Sequence, residues 1–221
     1  MCQQLRNTMN YQLQKLFLTL YTSDRVRNSE SGASSVQGTV NIRQGIENLF
    51  AQYNIKSMFD AGCNDCGWMS KVVDNTNVVY QGGEISPDMI DYVHKKFPNL
   101  MVQVHDATTD PFPQVDLLFI RDVAIHLNNT DKKKLWQNWL DSNIPWILIT
   151  HNKEINPNNK PPTDEFYSNK DLEYSQPFPE AMANWELEPW CFPAPVNQVW
   201  EYGAGGRCLA LWHRTQIENL L

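Results

Sequence analysis

Phe59-Asp60-Ala61-Gly62-Cys63-Asn64-Asp65-Cys66-Gly67-Trp68 is the stretch that decides the fold. It closes the short run Lys56-Ser57-Met58-Phe59-Asp60, which has the length and apolar content of a buried strand, and leads into Gly67 to Val73, patterned as a helix returning along a sheet. A carboxylate, a glycine turn and a helix start in that order make a loop suited to a nucleotide-type cofactor. A second strand, Asn77 to Glu84, ends in an acid. Glu84 lies about 20 residues beyond Gly62, the separation at which an acid after the second strand of a βαβ unit reaches ribose hydroxyls.

The charge of the loop selects among cofactors. A dinucleotide presents an anionic pyrophosphate, whereas S-adenosylmethionine presents a sulfonium and an ammonium beside one carboxylate. Asp60 and Asp65 favour the cation: a carboxylate about 4 Å from a unit charge is worth on the order of 1 kcal/mol in water and about 4 at an effective dielectric near 20. The dinucleotide pattern G-x-G-x-x-G is also broken, because its middle glycine falls at Asn64. Asparagine nevertheless tolerates positive φ better than most residues. S-adenosylmethionine is therefore the expected cofactor, ahead of NAD.

Around this core the chain alternates. Asn10 to Tyr21 has Leu13, Leu16, Phe17, Leu20 and Tyr21 at helical spacing, and a polar Ser/Gly-rich segment, Thr22 to Gly38, follows as the expected lid over the cofactor. Val40 to Tyr53 places Ile42, Ile46, Leu49, Phe50 and Tyr53 on one helical face. Pro87 to Phe97 is expected as a helix, Leu100 to Val104 as a third strand and Val115 to Ile120 as a fourth. Thr130 to Asp141 reads as a helix and Ile144 to Thr150 as a fifth strand. Such alternation implies an α/β fold, a mostly parallel sheet with helices on both faces and ligands at the carboxyl ends of its strands. Asn152 to Pro162 and Asn184 to Pro195 are loop material. Val196 to Tyr202 and Arg207 to Arg214 read as antiparallel strands joined through Gly203-Ala204-Gly205-Gly206. One domain is expected, divided into an N-terminal helix and lid (1–38), a cofactor-binding core (39–151), and substrate-side loops with a C-terminal hairpin (152–221).

In this order the motifs resemble the Rossmann-like, class I S-adenosylmethionine-dependent methyltransferases, and within them a bacterial and viral subgroup. The resemblance is carried by Asn28 to Ser35, Asp60 to Met69, Tyr80-Gln81-Gly82-Gly83-Glu84-Ile85, His105 to Pro113, Asp116 to Leu127 and Cys208-Leu209-Ala210-Leu211-Trp212. It implies that Asp60 and Gly62 face the methionine part of the cofactor, that Glu84 binds ribose, and that Asp106 with Ala107 contacts adenine. Arg121 and Asp122 would line the methyl-transfer face, and Ser31, Cys63, Asn64, Trp68 and Ile85 complete the implied cofactor shell. The chain departs from the family at Asn64, where glycine is usual, and at Cys66-Gly67, where the subgroup commonly has phenylalanine and asparagine.

With 221 residues, 42% of them hydrophobic, the chain can bury a substantial core without disulfides. A formal net charge of -7 argues against a nucleic-acid partner, whose non-specific affinity needs clustered Lys and Arg. The basic triplet Lys132-Lys133-Lys134 is expected as a solvated helix face. No run approaches a membrane span, Leu16 to Tyr21 is too short for a secretory signal, and five cysteines, an odd count, suit reduced thiols in a cytoplasmic setting. Cys63-x-x-Cys66 has no second pair at metal spacing, so no metal is expected.

On the acceptor side His126, a few residues past the fourth strand, is the first candidate general base, since its ordinary pKa of about 6.5 suits proton transfer at neutral pH. The competing reading makes it a structural histidine beneath the cofactor loop. His151, at the end of the fifth strand, is the second candidate. Asp122 either orients a histidine or binds the substrate, or else caps the next short helix. Arg121 is expected to pair with Asp60 or Asp106 rather than with a substrate anion. Trp185, Trp190, Phe192 and Trp200 either roof the acceptor pocket or pack a long loop. The acidic balance favours a small-molecule acceptor, such as a sugar or glycan precursor, methylated on O or N by in-line transfer. A non-catalytic S-adenosylmethionine-binding protein and an NAD-dependent oxidoreductase are the alternatives.

Overall fold

Strands that alternate core-facing residues between two covered faces account for the architecture. The computed structural model describes residues 34–127, 129–153, 184–201 and 206–220. The expected helix Asn10 to Tyr21, Ser31, most of the Thr22 to Gly38 lid, most of the Asn152 to Pro162 loop and residues 203–205 of the expected hairpin turn lie outside these residues. Seven strands are present: β1 Ser57–Ala61, β2 Val79–Glu84, β3 Met101–Val104, β4 Leu117–Ile120, β5 Trp146–Asn152, β6 Asn197–Trp200 and β7 Arg207–His213. Among the described residues four α-helices accompany them: α1 Val40–Gln52, α2 Met69–Asn75, α3 Pro87–Lys96 and α4 Asn129–Ser142.

The strands form one sheet in the order β3-β2-β1-β4-β5-β7-β6. Parallel pairing joins β1 to β2 and β4, β2 to β3, and β4 to β5. Only β7 is reversed, antiparallel to both β5 and β6. This is the expected mostly parallel sheet with an antiparallel C-terminal strand. β5 extends two residues beyond the expected end because Thr150, His151 and Asn152 pair with Leu209, Cys208 and Arg207 of β7.

Successive residues of a strand point to opposite faces, so a strand covered on both sides reads as a continuous apolar run. Met58, Leu117, Phe119 and Leu148 pack with Ile42, Ile46, Leu49 and Phe50 of α1, Met69 and Val72 of α2, and Val93 of α3. Their neighbours Phe59, Leu118, Ile120, Ile147 and Ile149 pack on the other side with Leu135, Trp136 and Trp139 of α4. Helix α3 starts as its sequence predicts, with Pro87 in the first turn and the Ser86 hydroxyl accepting from the Met89 amide at 3.3 Å.

On the second face one open alternative is decided and one expectation needs correction. Of the two readings of the aromatic group, packing holds for Trp185, Trp190 and Phe192, which are core: the ring of Trp136 meets those of Trp185 and Phe192 edge-on at 4.9 and 4.8 Å, while Trp200 stands at the surface. The lysine triplet also divides. Lys133 is exposed and Lys134 pairs with Asp131 at 2.6 Å, but Lys132 is only 2% exposed, its ammonium 6.0 Å from the centre of the Trp185 ring. The helical period turns Lys132 inward with Leu135, Trp136 and Trp139, which a count of charges does not register.

Candidate active site

The order of strands reverses about β1 and β4, and the crevice beyond the carboxyl ends of such strands is where α/β sheets place ligands. A cavity of about 380 Å³ opens there. Its first half is built by the ends of β1, β2 and β3. Gly62 leaves β1 with φ +83°, and the amides of Gly62 and Cys63 donate to the Gly83 carbonyl at 2.7 and 3.1 Å, folding the loop back over β2. A Cβ on Gly62 would lie 2.2 Å from Val123 Cγ2, and one on Gly83 would lie 2.6 Å from Phe59 Cζ. Only glycine allows both approaches. Asn64 adopts φ 50°, the left-handed conformation glycine would take at that position, and Cys66 does so at 54°.

Three carboxylates project into this half. Asp60 is 3% exposed and accepts from the Tyr80 hydroxyl at 3.0 Å; burial pushes its pKa up to about 7 against that hydrogen bond. Glu84 accepts from the amides of Asn64 and Ser86, each at 3.2 Å, and burial likewise raises its pKa. Each of its oxygens carries two lone pairs, so both can still accept from a ligand. Asp106 binds the Thr108 amide and hydroxyl through Oδ1 at 2.9 and 2.7 Å, while its Oδ2 is buried with no partner. Asn64 Oδ1 is also buried and unpartnered. Ile85, Ala107, Cys63, Asp65 and Trp68 complete the lining, all but Asp65 within the expected cofactor shell.

The second half is formed past β4 by Arg121, Asp122, Val123, Ile125, His126 and Leu127, with Ser34 alongside. Among the described residues Arg121 forms its ion pairs with Glu201 and Asp122 and not, as expected, with Asp60 or Asp106, although the charge of Asp60 acts on it. It makes a two-pronged bond to Glu201, Nε to Oε1 at 3.1 Å and Nη2 to Oε2 at 3.2 Å, and donates from Nη1 to Ser34 Oγ at 3.0 Å. Asp122 is no helix cap either: the 3₁₀ turn Ala124–His126 begins at Val123 without a side-chain cap. Asp122 instead pairs with Arg207 through Oδ2 and accepts from the Thr150 hydroxyl through Oδ1 at 3.2 Å. His126 lines the cavity, and burial lowers its pKa against the pull of Asp122.

His151 is not brought to this half. It is fully buried outside the cavity lining, with Nε2 3.1 Å from Glu186 Oε1 and Nδ1 accepting from the Trp185 amide at 3.4 Å. Strand alternation turns its ring into the second-face core against Trp212. Conversely, His105 lines the cavity, its ring stacked on Phe112 at 5.2 Å, although only its place beside Asp106 signalled it. Among the described residues no group of His, Cys, Asp and Glu is arranged to hold a metal, and the cysteines are free thiols. No helix among them is long and apolar enough to cross a membrane.

No protein-family model matches the sequence, and no curated protein matches it. Solved structures do. The magnesium protoporphyrin IX methyltransferase of Synechocystis PCC 6803, solved with bound S-adenosylmethionine, is similar over 91% of this chain and 95% of its own, with 14% sequence identity and a TM-score of 0.57. The methyltransferase domain of bacterial CtHen1 is similar over 80% of this chain and 99% of its own, with 12% identity and a TM-score of 0.56. The strand order, the single reversed strand and these superpositions agree, and this protein has the class I, Rossmann-like methyltransferase fold.

Proposed function

We propose that the protein binds S-adenosylmethionine in this cavity and methylates a small-molecule oxygen or nitrogen acceptor. The observation that carries the reading is the convergence of Asp60, Glu84 and Asp106, from the ends of three adjacent strands, on one buried space. The unpartnered Asp106 Oδ2 fits a hydrogen-bond donor such as an adenine amino group, and the second lone pairs of Glu84 fit ribose hydroxyls. Asp60, buried and close to half-protonated near neutrality, suits a ligand that brings positive charge. Three acids around a pyrophosphate would repel it, which disfavours the NAD reading.

When bound, the cofactor supplies a methyl group already activated on a sulfonium. The chain's own work is then mostly positioning. Gly62 and Val123 shape the wall between the two halves, Trp68 and Phe119 exclude water, and the apolar Ile125 and Leu127 seat the acceptor. A neutral His126 imidazole is competent to take the proton of an acceptor hydroxyl, which favours a hydroxylated molecule such as a sugar. The net charge of -7 favours a small acceptor over a polyphosphate chain.

The test is a calorimetric titration of the folded protein with S-adenosylmethionine, S-adenosylhomocysteine and NADH separately. Binding of the first two and not the third is expected. Silence from both sulfur ligands would sink the proposal. Binding without turnover of any hydroxylated or amine acceptor in a broad screen would favour the non-catalytic alternative.

A further inference from the structure

Asp122 is an acid held in a backbone conformation that side chains rarely adopt, φ 60°, at the end of β4 inside the cavity. Such a conformation persists only where surrounding contacts impose it, and here three do. Its amide donates to Thr150 Oγ1 at 2.9 Å, its Oδ1 accepts from the same hydroxyl, and its Oδ2 pairs with Arg207. Arg207 sits on β7, away from the cavity lining, and its Nη2 also reaches Glu201 Oε2 at 3.1 Å. Glu201 in turn carries Arg121, whose Nη1 is 3.5 Å from Asp122 Oδ2. Among the described residues, two arginines and two acids thus engage one another at and behind the acceptor half.

We propose that Arg207 is a positioning residue for the acceptor end of the cavity: braced by Glu201, it fixes the Asp122 carboxylate and offsets its charge beside His126. The inference rests on His126 being the acceptor-side base. Burial is the largest influence on His126 and favours the neutral ring; Asp122, just past β4, opposes it and Arg207 from β7 supports it. Asp122 unopposed would shift the ring toward its protonated form and weaken its capacity to accept a proton. With Arg207 in place the two charges close on each other, and burial leaves the imidazole neutral. Thr150 and Arg207 therefore hold Asp122 in place and are not a ligand site of their own.

The test follows the ring nitrogens of His126 by NMR in the full chain as pH is varied, with His126→Asn identifying the resonance among the five histidines. Arg207→Gln is expected to raise the titration midpoint of His126 by about half a pH unit or more, and Asp122→Asn to lower it. Arg207→Lys, which keeps the charge, returns the midpoint toward wild type. Opposite shifts from the two neutralising variants would not arise from a merely structural role. If Arg207→Gln fails to fold, Asp122→Asn and Arg207→Lys decide: a midpoint unmoved by Asp122→Asn overturns the proposal, as does one unmoved by a folded Arg207→Gln. S-adenosylhomocysteine titrations run alongside report on the cofactor reading separately, since failure to bind would leave the midpoint shifts unaltered.

Discussion

At the ends of β1, β2 and β3 the carboxylates of Asp60, Glu84 and Asp106 keep hydrogen-bonding positions open toward the cavity. At the ends of β4 and β7 the charges of Arg121, Asp122, Glu201 and Arg207 engage one another. Both halves are buried and both are charged, so burial and charge do not by themselves mark a ligand site. An acid whose acceptor positions are left open inside the fold carries a desolvation cost that a ligand can relieve. Charges that engage one another, as these two cations and two anions do, meet much of that cost within the protein. Under the proposed function the first half takes the cofactor and the second frames the acceptor.

The comparison is broken most directly at its junction. Gly62→Val places a side chain against Val123 at a φ that β-branched residues avoid, so the loop must move and the cavity narrows. Calorimetry should show S-adenosylhomocysteine affinity reduced by roughly 100-fold or more, about 3 kcal/mol, and melting should show a less stable protein as well. Retained affinity would mean that the ligand does not sit where the open carboxylates converge. Glu201→Gln tests the other half. It takes the carboxylate away from the buried Arg121 and the part-buried Arg207, and breaking a buried pair in this way is expected to cost about 3 kcal/mol of folding stability by denaturant titration. Cofactor affinity should change little. Equal losses of stability and affinity would erase the distinction between the halves.

The same division explains what was legible in the sequence. The cofactor half is local: Asp60, Gly62 and Asn64 share one loop, Glu84 ends the next strand, and spacing along the chain stands in for distance in space. The engaged half depends on pairs far apart in sequence, Arg121 with Glu201 at a separation of 80 residues and Asp122 with Arg207 at 85. No periodicity announces such pairs: the sequence points Arg121 at Asp60 or Asp106 and gives no sign of Glu201. His151 is hard to place for a related reason. Its position at a strand end was readable, but which face it points to was fixed by the pairing of β5 with β7, which sets Cys208 opposite it. The strands themselves were readable because coverage on both faces makes each an apolar run.

The pH dependence of the cofactor half sharpens the contrast on a smaller scale. With its pKa raised to about 7, Asp60 is protonated in part of the ligand-free population at neutral pH, and a cationic ligand must displace that proton. Affinity for S-adenosylmethionine should therefore rise from pH 6 to 8 and then level. Asp60→Asn should weaken binding about tenfold at pH 8, about 1.4 kcal/mol, and flatten the profile. Stability runs the other way. A carboxyl raised in the folded state stabilises below its unfolded pKa and loses that contribution as pH climbs through 7, so ligand-free Asp60→Asn should be the more stable protein at pH 8. A flat wild-type affinity profile would remove Asp60 from contact with the ligand's charge.

Lys132 tests whether an open charge must always signal a ligand. It is buried on the second face over Trp185, paired with no acid among the described residues, and it does not line the cavity. Burial lowers its pKa from 10.5 to about 8. The folded protein thus releases this proton before the unfolded chain does, and stability should rise as pH climbs from about 8 toward 10. Lys132→Met keeps the length and apolar stem while removing the charge, so it should abolish that rise and stabilise the protein at pH 7 by about 1 kcal/mol. Affinity for S-adenosylhomocysteine should be unchanged. The distinction between this lysine and the open carboxylates is geometric: theirs face an empty volume that a ligand can fill, whereas the lysine faces indole. A loss of stability on removing the charge would mean that the ammonium over Trp185 contributes more than its desolvation costs, and open charge alone would no longer separate site from scaffold.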